Sequence, residues 1–330
     1  MPELTRRGFA ATALLAASLR PRVASAQRRS QDAGVGFPAA GERPWREQVP
    51  QLRVGLLGGE NESDRLGRYD AYRRLLEETF KVPARLLPAS DYAGVQQALG
   101  AKQIEIASLG ASAYAGAWLD SGGGVEPLLV AEEADGSVDY RSVMIVRGDS
   151  GIADLEQMRG KALAWADPNS ASGYLIPRFE LRKAGIDPEP GRYFSRTGFG
   201  GGHEQAVVAV VQRQYDAAVT WASGIGDADQ GYTRGNLRSM VDKGMLDMRA
   251  MRIIWTSRPI LNGPLTTRVD LPASFKEDIR LFHLALPKRH PKVYEQVERG
   301  GGTGYREVRH EDFQLFVDLR RQEAQERRRR

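Results

Sequence analysis

From residue 51 onward the apolar positions switch between two spacings. Short apolar runs occur at 52–57, 84–87, 104–108 and 127–131, and between them the stretches 65–79, 92–99 and 111–118 place their apolar residues three and four apart. Short runs predict strands and the wider spacing predicts helices. A second series of the same kind begins at Ser142-Val143-Met144-Ile145-Val146, after the turn residues Asp135-Gly136-Ser137. It continues through a helix over 152–159, a strand over 161–166, a helix starting near Ala171, a helix over 204–214 and a strand over 216–220. Alternating strands and helices imply mostly parallel sheets covered on both faces. Ile253-Ile254-Trp255 and the segment 259–264 lead the chain back, and helices near 272–286 and 310–325 close the structure. The economical reading is an α/β chain of two units, the second (141–259) inserted within the first (51–140 with 260–330). Such architectures hold ligands at the carboxyl ends of strands, in the cleft between the units.

One local conflict stands out. Pro177 would lie inside a helix starting at Ala171, deleting a backbone hydrogen bond at about 3 kcal/mol. Either the first turn is a separate short piece or the helix kinks.

The N-terminus changes the compartment. Thr5-Arg6-Arg7-Gly8-Phe9-Ala10, an apolar segment to Leu19 and the small-residue ending Val23-Ala24-Ser25-Ala26 read as a twin-arginine export signal over 1–26. Its apolar core is too short to span a bilayer, and no later window reaches twenty apolar residues, so a soluble protein outside the cytoplasm is expected. Residues 27–50, rich in Arg, Gly, Pro and Gln, read as a flexible lead-in. The chain has no cysteine. A lipid anchor on cysteine, disulfides, thiolate metal sites and a cysteine nucleophile are therefore excluded. Four basic residues and one acidic residue leave with the signal, so the formal charge falls from +5 to +2. Six arginines against two glutamates over 320–330 carry most of the remaining positive charge. No nucleic-acid motif accompanies them, and a frayed, solvated end is the expectation.

Four histidines, His203, His283, His290 and His310, show no metal-ligand spacing, and no nucleophile elbow, P-loop or dinucleotide fingerprint is present. Neither catalysis, a metal nor a cofactor is expected. The richest stretch is Asp167-Pro168-Asn169-Ser170-Ala171-Ser172-Gly173, between an apolar run and a helix. Two hydroxyls and backbone N–H groups at a helix start are what an oxyanion needs, although an ordinary Asx or Ser cap gives the same string. Gly200-Gly201-Gly202 before His203-Glu204 allows a close backbone approach to a ligand or a tight turn into a helix.

Asp91-Tyr92-Ala93-Gly94, then Asp135-Gly136-Ser137 leading to Tyr140, then the 167–173 block with Tyr174-Leu175, then Gly202-His203-Glu204, in this order and spacing, resemble the phosphonate-binding proteins of ABC importers. The resemblance runs from about Leu52 to Leu271. It implies a two-lobed periplasmic binding protein of type II, with two mixed sheets flanked by helices and joined by hinge strands. It also implies that the phosphonyl oxygens are held by Ser170, Ser172, backbone N–H groups around Ala171, Tyr92, Tyr140 and His203. An ionised phosphonyl group only accepts, so a seat of neutral donors suits it.

Two departures bear on specificity. Where the resemblance implies carboxylates for the ammonium in relatives that take aminoalkyl phosphonates, this chain departs from them, and the positions look like Ser223, after Thr220-Trp221-Ala222, and the pair Asn262-Gly263, none of them charged. A buried ammonium without acceptors costs several kcal/mol. The middle hydroxyl of the family's anion block is also replaced by Ala171, and Trp221 either narrows the distal pocket or packs. The reading is a periplasmic binding protein, expected to be a monomer, that gives a phosphonate without an amine, phosphite or a related oxyanion to an inner-membrane ABC permease. A binding protein that reports to a membrane kinase would carry the same site, and a periplasmic phosphate-ester enzyme would need constellations that the chain lacks.

Overall fold

The computed structural model describes residues 42–329 except residue 301, all within one compact unit. The twin-arginine segment and residues 27–41 lie outside the described residues. In chain order the elements are β1 (Leu52–Leu56), α1 (Glu62–Phe80), β2 (Ala84–Pro88), α2 (Tyr92–Gly100), β3 (Ile106–Ser108), α3 (Ala111–Asp120), β4 (Val125–Glu132) and β5 (Asp139–Arg147). Then come β6 (Ala162–Trp165), α4 (Ile176–Lys183), β7 (Arg196–Phe199), α5 (His203–Val211), β8 (Ala217–Ala222) and α6 (Asn236–Asp242). The chain closes with β9 (Met251–Thr256), β10 (Ile260–Leu261), β11 (Pro264–Arg268), α7 (Ala273–Arg289), α8 (Pro291–Glu298), β12 (Gly304–Glu307) and α9 (Gln314–Arg328).

The strands form two mixed sheets. The first has the order β12-β4-β11-β3-β1-β2, with β1 parallel to β2 and β3, and β11 antiparallel to β3 and β4. The second has the order β10-β5-β8-β6-β7, with β6 parallel to β7 and β8, while β5 runs antiparallel to β8, β9 and β10. Side chains of a strand point alternately to the two faces. In β5, Val143 and Ile145 accordingly enter the core beneath α5 and α6, while Met144 and Val146 enter the core holding Trp165, Leu181 and Phe194. Helices therefore cover both faces, as the unbroken apolar run of β5 demands. Residues 133–138 and 262–263 connect the sheets, and the second connection is tied to the first by the Asn262 N–H donating to the Val138 carbonyl at 2.8 Å.

Several expectations need correction. Residues 42–50 are not a loose lead-in, because Pro44–Glu47 is a 3-10 turn that buries Trp45 among Phe80 and Phe275. The 152–159 helix is only a 3-10 turn at Glu156–Met158, between Gly151 and Gly160, whose φ values of +73° and +74° end any helix on either side. The conflict at Pro177 is resolved by a separate piece: Ala171–Leu175 form a π-type turn, and α4 begins behind it with Pro177 in its first turn, where the N–H that proline lacks is not needed. The arginine-rich end is helical to Arg328 and not frayed. Glu326 of α9 pairs with Arg178 at 3.2 Å and Arg182 at 2.7 Å.

Candidate functional site

Each local motif folds for its own reason. At the start of α2, Asp91 caps the helix by accepting the Gly94 N–H at 2.9 Å, which places Tyr92 at the first helical position. In the 167–173 block, Asp167 Oδ1 accepts the Asn169 N–H at 2.7 Å and Ser170 Oγ accepts the Gly173 N–H at 2.9 Å, so this stretch is an Asx turn followed by a serine cap. A Cβ at Gly173 would stand 2.9 Å from Ser170 Oγ and 3.0 Å from His203 Cε1, so only glycine lets the serine and the histidine close over it. From α9, the Arg320 guanidinium bonds the Pro168 carbonyl at 3.3 Å and the Asn169 side chain, bracing the loop from outside.

These pieces meet in one cavity of about 230 Å³, below the range of roughly 300–1,000 Å³ typical of drug-sized ligands and therefore suited to a small one. Tyr92, Tyr140, Ser170, Ala171, Ser172, His203, Trp221, Asn262 and Gly263 all line it. Ser223 does not. Its hydroxyl pairs with Thr233 Oγ1 at 2.9 Å and pins the 223–234 loop to itself. Asn262 lines the cavity, yet its amide is spent on the Ala131 carbonyl at 2.9 Å and Glu133 Oε1 at 3.0 Å. Gly263 crosses the β3–α3 loop so tightly that a Cβ there would fall on the Leu109 carbonyl and within 2.6 Å of Gly110 Cα. The half-buried Trp221 meets the Tyr140 ring edge to face at 5.7 Å.

The donors are held neutral. Burial pushes the Tyr140 hydroxyl up to about 12 against the opposing pull of the Ser172 side chain, and burial also raises Tyr92, which lies beside Ser170. Burial, helped by the Arg299 guanidinium, pushes His203 down to about 3. Its Nε2 is 3.1 Å from Ser170 Oγ and its Nδ1 is 3.3 Å from Thr220 Oγ1. With the Thr220 hydroxyl donating to Nδ1, Nε2 carries the proton and aims it toward Ser170.

Charged residues without any sequence motif complete the wall. Arg234 lines the cavity beside Trp221, and Glu60, Arg68 and Arg299 form a chain of ion pairs at its rim, with Arg299 to Glu60 at 2.6 Å and Arg68 to Glu60 at 2.5 Å. Nothing in the sequence pairs Arg234 with Glu133, 101 residues away. Next to this rim the two halves touch, since a Cβ at Gly59 would lie 3.4 Å from both Gly202 Cα and the Tyr92 ring. Lys243 spans the same gap, 3.0 Å from Asp64 of α1 and 2.9 Å from Glu204 of α5.

The buried histidines fix a pH response. His283 donates from Nδ1 to the Ile279 carbonyl at 2.7 Å and accepts from the Tyr72 hydroxyl at 2.9 Å, and burial pushes it down to about 4. For His203 and His283 alike the folded value lies below the unfolded value of about 6.5. The unfolded chain therefore takes up protons first on acidification. The stability from these two groups is full above about pH 6.5 and is lost progressively as pH falls toward 4. Thermal unfolding from pH 7 to pH 4.5 should show a falling Tm, and His283→Gln should flatten that slope while lowering Tm at pH 7. An unchanged slope in the variant would assign the pH response to other groups.

Comparison with known proteins places the chain in a family. The family described as ABC transporter, phosphonate, periplasmic substrate-binding protein matches residues 54–313. The phosphate-import protein PhnD of Mycolicibacterium smegmatis is 28% identical over 215 residues, which are 62% of this chain and 62% of that protein, so less than two thirds of that relative is matched. The phosphonates-binding periplasmic protein of Escherichia coli is 28% identical over 265 residues, 79% of this chain and 73% of that protein. A solved structure of PhnD1 from Prochlorococcus marinus in complex with methylphosphonate superposes with a TM-score of 0.69 at 15% identity, covering 83% of this chain and 98% of that one, a likeness of fold. The chain belongs to the family of periplasmic substrate-binding proteins of phosphonate ABC transporters.

Proposed function

We propose that this protein is the exported solute-binding component of an ABC importer, and that it captures a small phosphonate, phosphite or a related oxyanion and passes it to the permease. The observation that carries this reading is the convergence of Tyr92, Tyr140, Ser170, Ser172 and His203, all buried, on a single small cavity. Each can donate a hydrogen bond, and the backbone N–H groups at Ala171 and Ser172 open a helical turn, where such groups have no partner within the helix. Neutral donors suit an anion that arrives with its own charge, and they avoid the desolvation of a second fixed cation. Tyr92 comes from the first sheet's half, and Ser170, Ser172 and His203 come from the second's. A ligand bound to both halves favours the closed arrangement through contacts that exist only there. Export by the twin-arginine route and action as a periplasmic monomer complete the reading.

Calorimetric titration with methylphosphonate, phosphite, phosphate and 2-aminoethylphosphonate tests it. One of the first three should bind most tightly, because among the described residues the cavity wall presents no unpaired carboxylate to an ammonium. Ser172→Ala and His203→Ala should each weaken that binding by about 1.5–3 kcal/mol, the worth of a hydrogen bond to a charged group. Binding of none of the four would remove the transport reading, and unchanged affinity in both variants would move the seat elsewhere.

A further inference from the structure

Arg234 stands in the cavity wall, yet its charge is fully used inside the protein. Its Nε and Nη2 grip the Glu133 carboxylate at 3.0 Å and 2.5 Å, and its Nη1 reaches the Glu298 carbonyl at 3.2 Å and Oε2 at 3.3 Å. The side chains of Arg234, Glu133 and Glu298 are 8%, 1% and 15% exposed, so this is a buried cluster, where one arginine serves two carboxylates. Further donors reach both carboxylates, Asn262 Nδ2 on Glu133 at 3.0 Å and the Tyr305 hydroxyl on Glu298 at 2.8 Å. The guanidinium lies 5.6 Å from the Trp221 ring, which in turn contacts Tyr140. Through Trp221 and Tyr140 the cluster thus borders the donors of the oxyanion seat within the same cavity.

We propose that Arg234 is a specificity-determining residue: its guanidinium occupies, from within the protein, a cation position between Glu133 and Glu298, so the cavity rejects ligands bearing an ammonium and accepts uncharged substituents. The inference rests on the oxyanion reading of the cavity. In the native protein an incoming ammonium meets a guanidinium and finds both carboxylates taken. It would be buried without acceptors, which is unfavourable. Without the guanidinium, two buried carboxylates would demand a cation, and a compact ammonium with three donors is the kind of group that satisfies them. Removing one partner of a buried pair leaves the other uncompensated, so the pair behaves as a unit and the ligand's charge can replace the missing member.

The test is calorimetric titration of the wild type and of Arg234→Met, Glu133→Gln and the double variant, each verified as folded by circular dichroism. In the wild type, methylphosphonate should bind more tightly than 2-aminoethylphosphonate. Arg234→Met should shift that ratio toward the amine by at least tenfold, and the double variant, which loses one of the two carboxylates, should move it back toward the wild-type value. Glu133→Gln alone takes away one negative charge and releases the Nε and Nη2 donors of Arg234 while Glu298 still holds Nη1, and should raise the affinity for phosphonoacetate relative to methylphosphonate at least fivefold. This arm decides the matter if Arg234→Met does not fold. A ratio unchanged in Arg234→Met, or no gain for phosphonoacetate in Glu133→Gln, overturns the role of Arg234 while leaving the oxyanion seat intact. Failure of the wild type to bind any phosphonate overturns the proposed function, and the inference with it.

Discussion

Gly202→Ala should weaken phosphonate binding by roughly tenfold to a hundredfold while leaving the protein folded. The added methyl would stand 2.6 Å from the Gly59 carbonyl oxygen and still closer to Gly59 Cα, backbone atoms that cannot swing aside. Gly202 itself has a φ of 167°, extended backbone that any residue adopts, so the cost is purely steric. Overpacking of this kind costs about 1–3 kcal/mol, which corresponds to about one to two decades in Kd. Gly59 precedes α1 of the first sheet's half and Gly202 precedes α5 of the second's, and two short connections join the two sheets. The clash can therefore be relieved by the halves moving apart, which takes Tyr92 away from Ser170 and His203 without unfolding either core. Gly67→Ala is the matched control. Nothing lies within 4 Å of a Cβ there, and its place inside α1 makes alanine slightly stabilising. Calorimetry of the two variants at equal Tm separates the alternatives, and wild-type affinity in Gly202→Ala would dismiss the Gly59–Gly202 contact as part of the bound state.

Local sequence signals found most of this molecule because most of it is locally determined. Strands β1, β5 and β8 are apolar enough to be read directly, and the caps at Asp91 and Ser170 stand where the sequence places them. Elements without such signals were invisible. Strand β7, Arg-Thr-Gly-Phe, is a half-exposed edge strand that exists because β6 pairs with it, and β12 is held in the same way by β4. Helix α8 follows α7 with only His290 between them, and Pro287 and Pro291 end the readable helical pattern near 286, so α8 carries no signal of its own. The 152–159 stretch carries Ile152, Leu155 and Met158 three apart, which a helix or a single buried turn satisfies equally.

The site divides along the same line. Tyr92, Ser170, Ser172 and His203 sit in motifs with strong local geometry, and the cavity gathers all of them. What the sequence could not show was the direction of a side chain and the identity of a distant partner. Ser223 has the right place in the chain, but its hydroxyl turns back to Thr233. The apparent absence of charge around Asn262 hid Glu133, which lies beneath the asparagine and is neutralised by Arg234. The wall is uncharged toward an ammonium because a carboxylate is matched, not because none is there. That distinction changes what a single substitution at Arg234 can do.

Trp45→Ala should cost about 3–5 kcal/mol of folding stability, the cost of deleting a large buried aromatic, and lower Tm by roughly 5–15 °C at this chain size. Trp45 is 1% exposed, although the composition of the segment around it suggests disorder. Its ring meets Phe80 at 5.8 Å and Phe275 at 5.2 Å, both edge to face, so it joins the end of α1 to the start of α7 on the outer face of the first sheet. Its indole N–H donates to Asp278 Oδ2 at 2.8 Å, where Arg43 also donates at 2.8 Å, so the substitution removes both a ring contact and one of the two partners of a part-buried carboxylate. Trp45→Phe keeps the apolar contact and loses the hydrogen bond, and should cost about 1–2 kcal/mol less than the alanine. Chemical denaturation of the three proteins gives the ordering directly, and an alanine variant within 1 kcal/mol of the wild type would make residues 42–50 an adjunct and not part of the core. Trp45 does not line the cavity. The folded alanine variant should therefore bind its oxyanion with wild-type affinity, whereas Gly202→Ala should do the reverse and keep its Tm while losing affinity. Together the two variants separate the packing that makes the fold from the contact that closes it on a ligand.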